Sequence, residues 1–269
     1  MAVTTGPDGR FDIGRVIGRT FDVIRHNLAT FAILALLLAG VPALISTIGL
    51  FGLLNRIQSL GGQAGPAVFI QAFGQGAVLT GVGALLGVVT NAILQGAVIF
   101  GAASYLTGRS ASLGECLGAG LKRCLPLIGL MLVGFVAIGF GFMLFIVPGV
   151  MMAVAWVAAA PALVVERTGV FGAFSRSADL TRGRRWPIFG LLVLYFVAIS
   201  VVQQVFISLV GVGFAAATPE ADFLNKLPVS AVISVCVSIL GCAGIASIYY
   251  ELRSSREGIG PEALAAVFD

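Results

Sequence analysis

The chain is poor in the side chains that carry most enzyme chemistry. Its 269 residues include one histidine, His26, and four cysteines, and only 10% of them are charged. A soluble domain carries about 25% charged residues. A zinc site of the usual His/Cys type needs clustered ligands, and none cluster here. Cys116 and Cys124 flank Lys122 and Arg123, while Cys236 and Cys242 lie in an apolar run. Neither pair reads as a secreted disulfide framework, and all four fit as small packing residues. What is abundant is apolar: 58% of the residues are hydrophobic and the mean hydropathy is +1.05. That balance excludes a soluble enzyme, a disordered chain and a nucleic-acid-binding domain. An outer-membrane barrel alternates apolar and polar residues, whereas the apolar runs here are continuous.

Stretches free of Asp, Glu, Lys and Arg run over 26–55, 57–108, 124–165, 186–219 and 227–250. A spanning helix needs about 20 apolar residues. The runs therefore predict spans at Leu28–Leu50, Gln75–Tyr105, 125–146, 149–165, Trp186–Phe214 and Val229–Tyr250. A Gly/Gln-rich loop, Asn55–Gly74, joins the first two. Pro148-Gly149 supplies the turn between the third and fourth, because Pro and Gly punctuate helices. The expected fold is all-α, a polytopic membrane bundle of six helices in three hairpins. It has a cytoplasmic amphipathic segment over 1–27, a transmembrane domain over 28–250 and a cytoplasmic tail over 251–269.

Orientation follows from the basic residues. In this topology 14 of the 16 lysines and arginines fall on one side, with only Arg56 and Lys226 opposite. Both termini are then cytoplasmic. Splitting 57–108 into two spans would put Arg56 and Arg109 on the same side and move later basic clusters outside. A signal peptide is not expected, since the apolar region starts at residue 28 and runs past 20 residues.

Three segments on the basic side share a plan of amphipathic stretch, basic turn and span. They are 11–27, 110–124 and 167–186, with Gly14, Gly114 and Gly172 at similar places. In the first, Ile13, Val16, Ile17, Phe21 and Ile24 follow helical spacing. The likeness reads either as duplication or as convergent interfacial helices. Such segments suit a bilayer surface, with apolar faces in the headgroup boundary and arginines on anionic lipid. The headgroup candidates are Arg15, Arg19, Lys122, Arg123, Arg182, Arg184, Arg185 and the anchor Trp186. Ordinary positive-inside anchoring is the plainer reading of the same residues.

No charged residue lies inside a predicted span, which counts against a proton or cation pump. Asn91 and Gln95 share one helical face, Gln203 and Gln204 lie in the fifth span, and Ser230, Ser234 and Ser238 line the sixth, continued by Cys242. These polar groups read as interhelical hydrogen bonds or as a polar seam for a headgroup or small solute. The many glycines, Gly83, Gly87, Gly134, Gly139 and Gly141 among them, suit close helix approach. No phosphate loop and no nucleophile–base set is present. Glu166 pairs in expectation with Arg176, for which Asp179 is a rival partner.

The stretch from Pro161 through Glu166 to Gly169, then Ala173, Arg176, Ser177, Leu180, Gly183 and Trp186, resembles the glycerophosphoryl diester phosphodiesterase membrane domain and the related YciC-type proteins. Val147-Pro148-Gly149 and the end of the last span, Tyr249 to Arg253 with Glu257-Gly258, are similar to the same family. The resemblance implies a six-helix bacterial inner-membrane protein. Phosphodiesterase activity does not carry over, because that chemistry sits in a separate soluble domain with metal-binding acids and histidines. The expectation is a non-enzymatic protein without cofactor or metal. It organises anionic phospholipids or membrane partners, a second copy of itself included. The rival is a transporter or channel for a lipid-like or small uncharged substrate.

Overall fold

The computed structural model describes residues 11–59, 66–213 and 219–257, and the described residues are helical with short connections and no strand. Six helical stretches are long and apolar enough to cross a membrane: Leu28–Gly52, Thr80–Leu106, Leu113–Leu144, Ile146–Glu166, Arg185–Phe206 and Ser230–Arg256. The chain is thus all-α and polytopic. Arg10, residues 60–65 of the expected first loop and residues 258–269 of the expected tail lie outside the described residues.

The helices are α1 (Ile13–His26), α2 (Leu28–Ala35), α3 (Val41–Ser59), α4 (Pro66–Leu106), α5 (Leu113–Leu144), α6 (Ile146–Ala155), α7 (Ala159–Glu166), α8 (Val170–Thr181), α9 (Arg185–Gly213) and α10 (Pro219–Glu257). A π-helical turn, Leu36–Gly40, joins α2 to α3 just before Pro42, whose nitrogen cannot donate to the regular ladder.

Local chemistry sets the starts. Asp12 caps α1 by accepting the N–H groups of Gly14 at 2.8 Å and Arg15 at 3.4 Å. Ser112 and Glu115 form a capping box that starts α5. Gly14 and Gly114 are each the second residue of their helix and Gly172 is the third.

Three expectations change. The second amphipathic segment is no separate helix but the first turns of α5. Helix extends over residues 55–59 and 66–74 of the expected first loop. The third and fourth spans part at Phe145, which is extended at φ −160°, not at Pro148-Gly149. Pro148 sits in the first turn of α6, where a missing N–H costs nothing. Gly149 instead permits contact across the hairpin: a Cβ on Gly141 would stand 3.0 Å from the Gly149 Cα.

The described residues divide into two compact units. One comprises residues up to Phe31, Ala92–Phe196 and the chain from Ile239, and the other Ala32–Asn91 and Val197–Ser238. The core of the first holds Phe31, Leu94, Ile99, Leu127, Leu180, Ile188 and Leu252. Within it α4 and α5 cross at Gly96 and Gly120, where a Cβ on Gly120 would overlap the Ile93 carbonyl. This is the small-residue crossing that membrane helices use. Large apolar side chains elsewhere on this unit face outward, Leu125 at 81% exposure among them, as a lipid-facing surface requires.

Candidate functional site

Two buried polar junctions lie in the first unit, and both end on the last turns of α10. In the first, Glu251 is only 1% exposed. Its Oε1 accepts Arg15 Nε at 3.1 Å and Nη2 at 2.7 Å, and its Oε2 accepts Arg19 Nη1 at 2.5 Å. The Asp12 N–H adds a longer bond at 3.4 Å. The Arg19 guanidinium also lies 4.9 Å from the centre of the Tyr250 ring, a cation–π distance. A buried carboxylate is tolerated only when its lone pairs are met in this way.

In the second junction, Arg176 Nε donates to both oxygens of Glu166, at 3.0 and 2.9 Å. The Tyr249 hydroxyl donates to Glu166 Oε1 at 2.7 Å and accepts from Arg253 Nη1 at 3.4 Å. Beside it Arg184 donates to the Ser255 hydroxyl at 2.6 Å and to the Ser255 carbonyl at 3.2 Å. The stretch from Tyr249 to Ser255 therefore ties α1, α7, α8 and the entry to α9 onto one helix.

A third feature is neutral. The fourth span is interrupted between Ala155 and Ala159. A broken helix at membrane depth leaves backbone groups that only protein partners can satisfy. Ser177 supplies both: its hydroxyl donates to the Ala155 carbonyl at 2.8 Å and accepts the Ala158 N–H at 3.1 Å. Thr181 Oγ1 stands 3.3 Å from the same carbonyl. Phe174 packs on Trp156 with ring centres 4.6 Å apart. Thus α8 is docked into the unit through Ala173, Phe174, Ser177, Leu180 and Thr181, all buried. Its Phe171 points outward.

The residues singled out from sequence divide accordingly. Glu166 and Arg176 pair as expected, and the side chain of Asp179 is exposed instead. Ser177 stitches the break, Pro161 is buried in α7, and Gly183 takes φ 83° in the α8–α9 turn, where a side chain would be strained. Arg15 and Arg19 are engaged by Glu251, and Arg184 by Ser255. Lys122 and Arg182 are exposed, Arg123 and Arg185 are half-buried, and Trp186 is 82% exposed. Gln95 is half-buried in the first unit, its Oε1 buried without a hydrogen bond. In the second unit Asn91 is exposed, whereas Gln203, Ser234 and Ser238 are half-buried. The apolar crevice of the first unit is lined by Ile99, Ala103, Pro161, Val165, Ala246 and Tyr249, among others, and presents no polar surface.

Sequence reasoning missed Glu251, Thr181, Ser255 and the Tyr249 hydroxyl. It placed no charge inside a span, yet α10 carries Glu251 and Arg253 into the sixth apolar stretch, both buried. The available signal was a single acid directly after two tyrosines at the end of an apolar run, with arginines following.

Six apolar helices, charges gathered into junctions on one helix and lipid-facing side chains elsewhere define a multi-pass α-helical membrane protein. The chain belongs to the family described as a domain of unknown function (DUF7847), which matches residues 77–252. It is also similar to a UPF0259 membrane protein of Pectobacterium carotovorum subsp. carotovorum (strain PC1), 28% identical over 120 residues, which is 45% of this chain and 48% of the relative. The chain thus matches about half the length of that relative. No solved structure matches the chain.

Proposed function

We propose that this is a non-enzymatic inner-membrane protein, with both termini cytoplasmic, that holds anionic phospholipid or a membrane partner at its cytoplasmic face. The observation that carries this reading is the entry to the fifth span. Trp186, 82% exposed, adjoins exposed Arg182 and half-buried Arg185, whose Nε is buried without a hydrogen bond. An interfacial tryptophan beside arginines suits the headgroup level of a leaflet, and each basic residue there is worth about 1 kcal/mol of attraction to anionic lipid. Arg15, Arg19 and Arg184 serve the fold in this reading, so lipid contact passes to Arg182, Arg185, Lys122 and Arg123. The similarity to a UPF0259 membrane protein supports the membrane placement.

The test is retention of phosphatidylglycerol by purified protein. The double variant Arg182→Gln/Arg185→Gln is expected to retain less of it while unfolding at the same temperature as the parent. Unchanged retention overturns the reading. Reporter fusions at each terminus check the orientation, which a periplasmic signal at either end would contradict.

A further inference from the structure

Hydroxyl groups in the spans are answered within their own helices. Thr47, Thr90 and Ser247 each donate to the carbonyl four residues earlier, at 2.7, 2.9 and 2.9 Å. Asn91 differs. It lies on α4 inside the apolar stretch Thr80–Leu106, about 16 Å of helix from one end and about 22 Å from the other at 1.5 Å per residue. In a hydrocarbon core about 30 Å thick that places it well below either surface. Its side chain is exposed, and among the described residues its amide makes no hydrogen bond. Lipid tails offer neither donor nor acceptor, so an amide left facing them is costly.

The helix around Asn91 allows close approach. Gly87 stands one turn earlier, and a Cβ there would meet nothing within 4 Å. Ala84, two turns before Asn91, is exposed as well. Leu85, Val88 and Val89 flank this strip at 71%, 46% and 40% exposure. Small residues beside a polar one let membrane helices meet and hydrogen-bond. An amide carries two donors and one acceptor, so it is its own complement. A two-fold axis along the membrane normal brings Asn91 against the partner's Asn91, each amide donating to the other's carbonyl. Copies inserted in one orientation hold this group at one depth, whereas a foreign helix would need its own polar group placed there. We propose that the chain forms a homodimer through the face of α4 that carries Ala84, Gly87 and Asn91. This goes beyond the lipid contact proposed above and does not depend on it.

The experiment follows energy transfer between donor- and acceptor-tagged full-length protein in phosphatidylcholine liposomes, over a range of protein-to-lipid ratios. The parent should associate as a dimer. Asn91→Leu should raise the dissociation constant about tenfold, the loss of two interhelical hydrogen bonds. Asn91→Gln, which keeps the amide, should restore much of the association. Gly87→Leu should weaken it by obstructing the approach. At high dilution, where the parent is monomeric, Asn91→Leu should unfold at or above the parent's temperature, because an apolar side chain replaces an amide facing lipid. A parent that stays monomeric at every ratio overturns the proposal, as does parental association in Asn91→Leu or in Gly87→Leu. A lower unfolding temperature for the dilute Asn91→Leu monomer also overturns it, since the amide would then serve the fold of one chain.

Discussion

Helices α1 and α8 are alike in sequence and unlike in attachment. Each is a short amphipathic segment before a span, α1 carrying Arg15, Arg19 and Arg25 and α8 carrying Arg176. α1 is fastened by charge: two guanidinium groups close on one buried carboxylate at the far end of the chain. α8 is fastened chiefly by neutral groups: two hydroxyls and a phenyl ring fill an interruption in the fourth span. One pattern of hydropathy thus conceals two kinds of bond. A charged latch loses most when its buried carboxylate is removed, because both guanidinium groups close on that one acid. A hydroxyl stitch fails by the smaller cost of an unmet backbone group.

The largest expected effect is therefore Glu251→Gln, which removes the buried carboxylate that Arg15 and Arg19 share. It should destabilise the protein by about 3–5 kcal/mol in denaturant or thermal unfolding. Replacing all three members, Arg15→Leu, Arg19→Leu and Glu251→Leu, should recover much of that loss, since a packed apolar set often equals a buried ion cluster. A triple variant as unstable as Glu251→Gln would show that the latch is not the source of the effect. Ser177→Ala comes next, at about 1–3 kcal/mol for an unmet carbonyl and N–H. A result near the Glu251 value would erase the distinction between the two attachments. Thr181→Val should cost about 1 kcal/mol or less, because Ser177 still reaches Ala155. The smallest effect on stability belongs to Arg182→Gln, within about 0.5 kcal/mol as for other surface positions. A large loss there would make Arg182 part of the fold and not of the lipid contact.

The six spans were legible because a bilayer imposes length and apolarity directly on the sequence. The Glu166–Arg176 pair was legible too, being local. The hairpin turn was misplaced because Pro-Gly serves two roles: it ends helices, and it also fits the first turn of one while letting a neighbour approach. Phe145, where the chain does break, carries no turn signal of its own. The α1 latch was hidden for another reason. Glu251 lies 236 residues from Arg15, and no periodicity links residues that far apart. For the same reason Arg15 and Arg19 read as headgroup ligands, although their partner lies inside the protein. The interruption at 156–158 gave no polar signal, since the hydroxyls that answer it lie some 20 residues further along.

Helix α1 is fastened to the fold by Glu251. Amide hydrogen exchange across Ile13–His26, in bilayers of phosphatidylcholine alone, tests it most directly. Strong protection of α1 is expected in the parent without any anionic lipid, with loss of that protection in Glu251→Gln and unchanged protection of α8. Protection of α1 that rises with anionic lipid and ignores Glu251→Gln would contradict it.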